Sequence, residues 1–299
     1  MPATTAWLRY FDAATVTRLS HLGFKPASLV EGHLVGNHRS PFHGFAIEFA
    51  GHRQYVPGDD TKHLDWRAYY RTNKYLIKQY EQETNFTAHV VLDISQSMQF
   101  EHKHGRKLDY ASFIAVALAQ LVINQSDTVG AHFFDNELRT TIPVSGAQDI
   151  VSAIGAVCGS LEPKAPSAIG HILTHLAEHI GRRRVIFLIS DFYGDVDETF
   201  RGLKRLLDDK HELVLLHLID PLELDFDIAG RVRLPDLEGE GALTFVGHTI
   251  RDAYNEIFHA FLADLRQRTL ALGIDYVPCS LDRPFGFHLA EYLSRRNLR

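Results

Sequence analysis

Two apolar runs in this chain each deliver an aspartate at their end. His89-Val90-Val91-Leu92-Asp93 leads into Ile94-Ser95-Gln96-Ser97-Met98, and Arg184-Val185-Ile186-Phe187-Leu188-Ile189-Ser190 leads into Asp191-Phe192. Continuous apolar runs rich in β-branched residues, separated by helical periodicity, read as buried parallel strands, so both carboxylates should emerge at strand C-terminal ends. Open α/β sheets bind ligands along that edge. Behind the first aspartate come hydroxyls at i+2 and i+4, so Asp93, Ser95 and Ser97 aim one carboxylate and two neutral oxygens at a common point. Oxygen donors of this kind suit Mg²⁺, or Mn²⁺ and Ca²⁺, whereas Zn²⁺ favours His and Cys. Two carboxylates held close without a cation raise one another's pKa, and a divalent ion removes that conflict. A plainer role is also open, in which the serines cap the following turn and Asp93 satisfies backbone amides.

At 299 residues the chain suits one large α/β domain plus an addition. A formal net charge of −6 argues against a general nucleic-acid or anionic-membrane binder. The longest apolar stretch, Ala111 to Ile123, reads as a core helix, too short to span a bilayer. Cys158 and Cys279 lie far apart without C-x-x-C spacing. With no signal-like start, the expectation is a cytoplasmic protein with two packing thiols and no membrane insertion.

Residues 1–86 hold glycines among aromatics and histidines, with a short amphipathic start at Ala13 to Leu22, and read as an irregular β-rich addition with half-buried strands from His33 through Tyr55. Residues 87–299 alternate regularly. Strands are expected at 88–93, 128–134, 137–142, 184–190, 212–219 and 273–278, and helices at 107–124, 147–159, 168–180, 196–209, 250–272 and 286–296. That alternation predicts a doubly wound, Rossmann-like, mostly parallel α/β sheet. Pro221 to Val246 has no helical period and reads as a surface excursion or short hairpin. If the strand ending at Asp93 is first and that ending beside Asp191 fourth, the common doubly wound order makes both carboxylates flank the crevice where the strand order reverses.

These residues carry a family likeness. Asp93-x-Ser95-x-Ser97, Asp127-x-Val129-Gly130 and Asp191 resemble the von Willebrand factor A domain and its metal-ion-dependent adhesion site. Arg39-Ser40-Pro41-Phe42-His43-Gly44, Glu48-Phe49, Arg53-x-Tyr55-x-Pro57-Gly58-Asp59-Asp60, Asp65-Trp66-Arg67 with Arg71-Thr72, Asp220-Pro221-x-Glu223 and Tyr292-Leu293-x-x-Arg296 resemble the domain-of-unknown-function 58 family. That resemblance implies a non-enzymatic protein-binding module, partner of a MoxR-type AAA+ ATPase in protein assembly or maturation. It further implies a metal held by Asp93, Ser95, Ser97 and Ser167, with Asp191 reaching it directly or through water. Ser167 stands where Thr is commoner, and Ser190-Asp191-Phe192 where many adhesion sites have Thr-Asp-Gly. An acidic side chain of the partner would complete the coordination.

Around Pro57-Gly58, which suits a type II turn, Arg53, Asp59, Asp60, Asp65 and Arg67 form a charged segment that reads as a partner-binding face or a clamp onto the main domain. His171, His175 and His179 recur on one helix face at a spacing that can bind zinc, although a solvated face explains them as well. There is no G-x-S-x-G, G-x-x-x-x-G-K-[ST] or G-x-G-x-x-G motif. The enzymatic rival is a Mg²⁺-dependent phosphatase or phosphotransferase with Asp93 as nucleophile. It lacks a second acid at position 95 and an obvious lysine beside the site, Lys103, Lys107 and Lys164 lying only in nearby loops.

Overall fold

The computed structural model describes residues 3–26, 47–56, 59, 61, 64–82, 86–226, 228, 231–235 and 242–298. The chain divides into two compact units, Met1–Ser28 with Phe86–Arg299, and Leu29–Asn85. Residues 1–28, placed by sequence with the addition, therefore belong to the larger unit. Trp7, on the opening 3₁₀ helix Ala3–Tyr10, sits so close to Gly155 that a Cβ there would come within 2.7 Å of it. Helix α1 (Ala13–Ser20) is capped by Asp12, whose carboxylate accepts from the Ala14 and Thr15 amides at 3.1 Å.

In the smaller unit β1 (Ile47–Gln54) and β2 (Leu76–Gln82) pair antiparallel, and α2 (Trp66–Thr72) lies between them in sequence. The Asp65 carboxylate starts α2 by accepting from the Arg67 and Ala68 amides. The expected strand from His33 reaches described residues only at Ile47; the Arg39–Gly44 run, Pro57-Gly58 and Asp60 lie outside them.

The larger unit is built on a six-stranded sheet. Its strands are β3 (Thr87–Asp93), β6 (Thr128–Phe134), β7 (Leu138–Ser145), β8 (Val185–Ser190), β9 (Glu212–Ile219) and β12 (Asp275–Ser280). The tiny hairpin β4 (Glu101–His102) with β5 (Gly105–Arg106) and the hairpin β10 (Arg231–Pro235) with β11 (Ala242–Val246) stand outside it. The order is β12-β9-β8-β3-β6-β7, parallel except for β7. Counted along the chain this is the doubly wound order with its reversal beside β3. Strands β3 and β8 are buried almost throughout, because helices cover both faces and the apolar runs need no alternation.

On one face lie α3 (Lys107–Asn124) and α4 (Asp149–Cys158), with α9 (Phe285–Asn297) and α1 beside them. On the other, α5 (Ile169–His179), α6 (Val196–Asp208) and α8 (Gly247–Ala271) join the core of Val91, Phe134, Leu188 and Leu215. Helix α3 is long and apolar enough to cross a membrane by length and composition, yet 72 % of it is buried inside the unit, as a core helix. The short α7 (Pro221–Asp225) and the β10–β11 hairpin form the excursion before α8.

Edge strand β7 kinks where Pro143 and Val144 face Gly130, a position where an added Cβ would meet Val144 at 3.0 Å. Arg296 of α9 closes the unit at another corner. It donates to the Lys25 carbonyl at 2.7 Å and Asp275 at 2.7 Å, pairs with Glu212, and stacks on Phe24. The Tyr292-Leu293-x-x-Arg296 run is thus a tertiary clamp.

Helices α5 and α6 touch backbone to backbone. A Cβ on Gly170 would fall 2.5 Å from the Glu198 carbonyl carbon, and one on Gly202 2.7 Å from Leu173 Cβ. Gly170→Ala should therefore cost about 1–3 kcal/mol by overpacking, read from the urea midpoint. Gly146→Ala, where the nearest atom is Thr128 Cγ2 at 3.5 Å, should stay within about 0.5 kcal/mol.

Candidate functional site

Register brings the two aspartates together. Leu92 of β3 pairs with Ile189 of β8, so Asp93 and the Ser190–Asp191 step lie side by side at the C-terminal edge where the strand order reverses. Both carboxylates are fully buried. Asp93 Oδ1 accepts from the Ser95 amide at 2.9 Å, and Oδ2 accepts from Ser167 Oγ at 2.9 Å and Ser190 Oγ at 2.7 Å. Ser95 and Ser97 hydroxyls are 3.1 Å apart, and Ser97 Oγ donates to Asp191 Oδ1 at 3.2 Å. All five residues expected at the centre thus join one hydrogen-bond network. The loop carrying Ser167 is anchored because the Ala168 amide donates to the Asp135 carbonyl, and the Gln96 amide to the Ala165 carbonyl.

Three members of the network escaped the sequence reading. Ser190 holds Asp93 and also accepts from the Phe192 amide at 2.8 Å. Lys107, described above as merely nearby in a loop, is the first residue of α3 and fully buried. Its ammonium donates to Asp191 Oδ2 at 3.1 Å and Glu223 Oε1 at 2.6 Å, beneath the Tyr193 ring at 4.9 Å. Burial works against its charge, but the two carboxylates win and hold its pKa above the ordinary lysine value. A signal was available, because Lys107 lies four and seven residues before buried Ala111 and Ile114 and shares their inward stripe. Glu223 is fixed by the capping box of α7, accepting from the Asp220 amide at 2.8 Å and from Tyr193 Oη at 3.0 Å. The Asp220-Pro221-x-Glu223 signature therefore builds a counter-ion for Lys107.

Lys107 faces Asp191 with an opposite charge, and among the described residues no cationic side chain pairs with Asp93. Burial first, and the nearby Asp191 charge second, push the Asp93 carboxyl up to about 6, against the lowering effect of the Ser190 and Ser95 hydrogen bonds. The donor set is two carboxylates and three hydroxyls, all hard oxygens, and fits Mg²⁺ by type. Among the described residues no group of three or more His, Cys, Asp or Glu side chains could hold a metal, so any ion here depends on the serines.

The other expected residues belong to the smaller unit or to α5. Within the smaller unit Arg53 grips Asp59 through two hydrogen bonds of 2.9 Å, and Asp65 pairs with His52 at 2.7 Å besides capping α2. Arg67 is exposed and gives its amide to Asp65. His175 and His179 rings lie 4.1 Å apart on α5, with His171 exposed.

A three-layer α/β unit with Rossmann-like strand order and a carboxylate–hydroxyl cluster at its switch point defines the class. The chain belongs to the family described as protein of unknown function DUF58, whose model matches residues 51–261. An uncharacterized protein of Mycobacterium bovis is 24% identical over 273 residues, covering 89% of this chain and 85% of its own, and one of Mycobacterium tuberculosis matches equally. Among solved structures, BatB from Bacteroides thetaiotaomicron has a TM-score of 0.46 at 15% identity, covering 72% of this chain and 100% of its own. An aerotolerance-related membrane protein from Bacteroides fragilis has 0.46 at 18%, with the same coverages. An uncharacterized membrane spanning protein from Vibrio fischeri has 0.23 at 15%, covering 71% and 98%.

Two of these proteins are named as membrane proteins, and the expected cytoplasmic placement is not kept. Composition and charge describe how a domain folds in water; they carry no address, because the same domain folds alike beside a membrane.

Two variants probe the electrostatics. Since folding raises the Asp93 pKa from its ordinary 3.8 to about 6, the folded state binds the extra proton between those values. Its contribution is full below pH 3.8 and lost as pH rises through 6, on the order of 3 kcal/mol. Asp93→Asn should remove that fall, read as the difference between wild-type and variant urea stabilities from pH 4 to pH 7 in EDTA. Lys107→Met should cost roughly 3–5 kcal/mol at neutral pH by stranding two buried carboxylates. Adding Glu223→Gln should recover part of it, a coupling that a double-mutant cycle measures.

Proposed function

We propose that this chain is a non-enzymatic, metal-dependent protein-binding module of the von Willebrand factor A type. The observation that carries the reading is the single network in which Asp93, Ser95, Ser97, Ser167 and Asp191 converge at the strand-order switch point. Asp93 and the three serines would hold the ion, with Asp191 contributing directly or through water. Bound there, Mg²⁺, or Mn²⁺ or Ca²⁺ in its place, supplies a positive charge that relieves the Asp93–Asp191 repulsion and attracts an acidic side chain. Ser95 and Ser167 keep Asp93 oriented, and Lys107 stops Asp191 from adding a full second charge to the centre. A site so short of negative charge leaves a dication electrophilic toward a visiting carboxylate. In keeping with the family likeness, the partner is proposed to be a MoxR-type AAA+ ATPase acting in protein assembly or maturation.

The phosphotransferase reading draws less support. Both Asp93 oxygens are engaged in a fully buried position, and the one lysine at the site is held by Asp191 and Glu223.

Titration calorimetry should show saturable Mg²⁺ or Mn²⁺ binding by the wild type and none by Asp93→Ala with an unchanged circular dichroism spectrum. Capture of the ATPase from the native host should require the ion. Equal capture by Asp93→Ala or in EDTA would remove the proposal, whereas phosphomonoester turnover that disappears in Asp93→Asn would replace it with the enzyme.

A further inference from the structure

His89 and His132 have no part in the site described above. Strand alternation sets them on the same sheet face as Val91 and Phe134, which belong to the apolar core under α5 and α6. Both are buried. Their rings stack with centroids 5.2 Å apart; His89 Nδ1 lies 3.0 Å from His132 Nε2, and His132 Nδ1 lies 3.3 Å from Thr141 Oγ1. Burial pushes the His89 pKa down to about 3 and that of His132 to about 4, so both rings are neutral. Placing polar rings on an apolar face costs stability, and a local rule broken in this way marks functional sites more than scaffolding.

The pair borders a cavity of about 440 Å³. Thr87, Thr141, His175, His179 and Arg184 supply the rest of its polar wall, the aliphatic side chains of β7 and α5 supply the remainder, and among the described residues no Asp or Glu lines it. In a chain of net charge −6 such a wall is unusual. Arg184 Nη1 donates to Thr87 Oγ1 at 3.0 Å, which holds the guanidinium at the wall, and among the described residues no carboxylate pairs with it. The hydroxyl chain also has a direction available. With Thr141 donating to His132 Nδ1, and His132 Nε2–H donating to His89 Nδ1, the neutral His89 ring keeps its own proton on Nε2. No described residue accepts that proton. Donors without acids, beside an apolar wall, are the chemistry that recognises anionic oxygens on an apolar body. Zinc is disfavoured because no three of these groups are arranged as ligands.

We propose that this cavity binds a small organic anion, its carboxylate or phosphate oxygens taken by Arg184 and the His89 Nε2–H. His89 is four residues upstream of Asp93 on one strand, about 13 Å away, so the site is separate from the candidate metal centre. The test uses the full chain, with benzoate and phenyl phosphate as separate probes and Zn²⁺ as a third, followed by calorimetry and by the imidazole nitrogen shifts of His89 and His132. Saturable binding of either anion that shifts those nitrogens supports the proposal, and the probe preferred tells a carboxylate from a phosphate ligand. Arg184→Gln and His89→Leu should each weaken it by about tenfold or more, while Asp93→Ala leaves it unchanged. Arg184 is only partly buried, so its variant stays informative if His89→Leu fails to fold. No anion binding at millimolar concentration, equal binding by folded Arg184→Gln, or binding of Zn²⁺ alone would overturn it.

Discussion

The larger unit has to keep carboxylates dry at the end of its two central strands, and the Lys107 ammonium makes that tolerable. Asp191 and Glu223 approach the same nitrogen from different elements, so the start of α3, the end of β8 and the cap of α7 are tied at one buried point. Such a network stabilises only when every member is present, because a removed partner leaves a charge in a medium that cannot solvate it. The same lysine divides the roles of the two aspartates. Asp191 is compensated by the Lys107 ammonium, and Asp93 is held by the Ser95 amide and the Ser167 and Ser190 hydroxyls.

The sheet topology puts this electrostatic problem at the C-terminal edge of the central strands. Strand order reverses beside β3, so β3 leads to α3 on one face and β8 to α6 on the other, and the loops after both strands meet at this edge. The side chains that border it come from loops whose backbones are pinned by amide-to-carbonyl bonds at Gln96 and Ala168. Preorganisation of this kind holds the hydroxyls beside the carboxylates at little further ordering cost.

Much of this was legible in the order of residues. Strands buried on both faces leave unbroken apolar runs, so β3 and β8 and the aspartates at their ends stood out, and the meeting of Asp93 with Asp191 followed from the winding rule. Ser167 came only from resemblance to a family, because nothing local marks a serine 74 residues away as a donor to Asp93. Lys107 was passed over because a cation opening a helix ordinarily faces solvent, and only its phase relative to Ala111 and Ile114 betrays it. His89 and His132 hid inside runs whose average hydropathy was apolar. The Tyr292–Arg296 and Asp220–Glu223 signatures were visible as patterns, but their jobs, a corner clamp and a counter-ion, needed three dimensions.

The kink in β7 carries a last implication. This strand forms one flank of the sheet, and at Pro143 the outer rim has no amide hydrogen to offer to a newcomer. A bulge at the same spot twists the ribbon out of line. Copies of the protein are thereby discouraged from stacking rim to rim along β7.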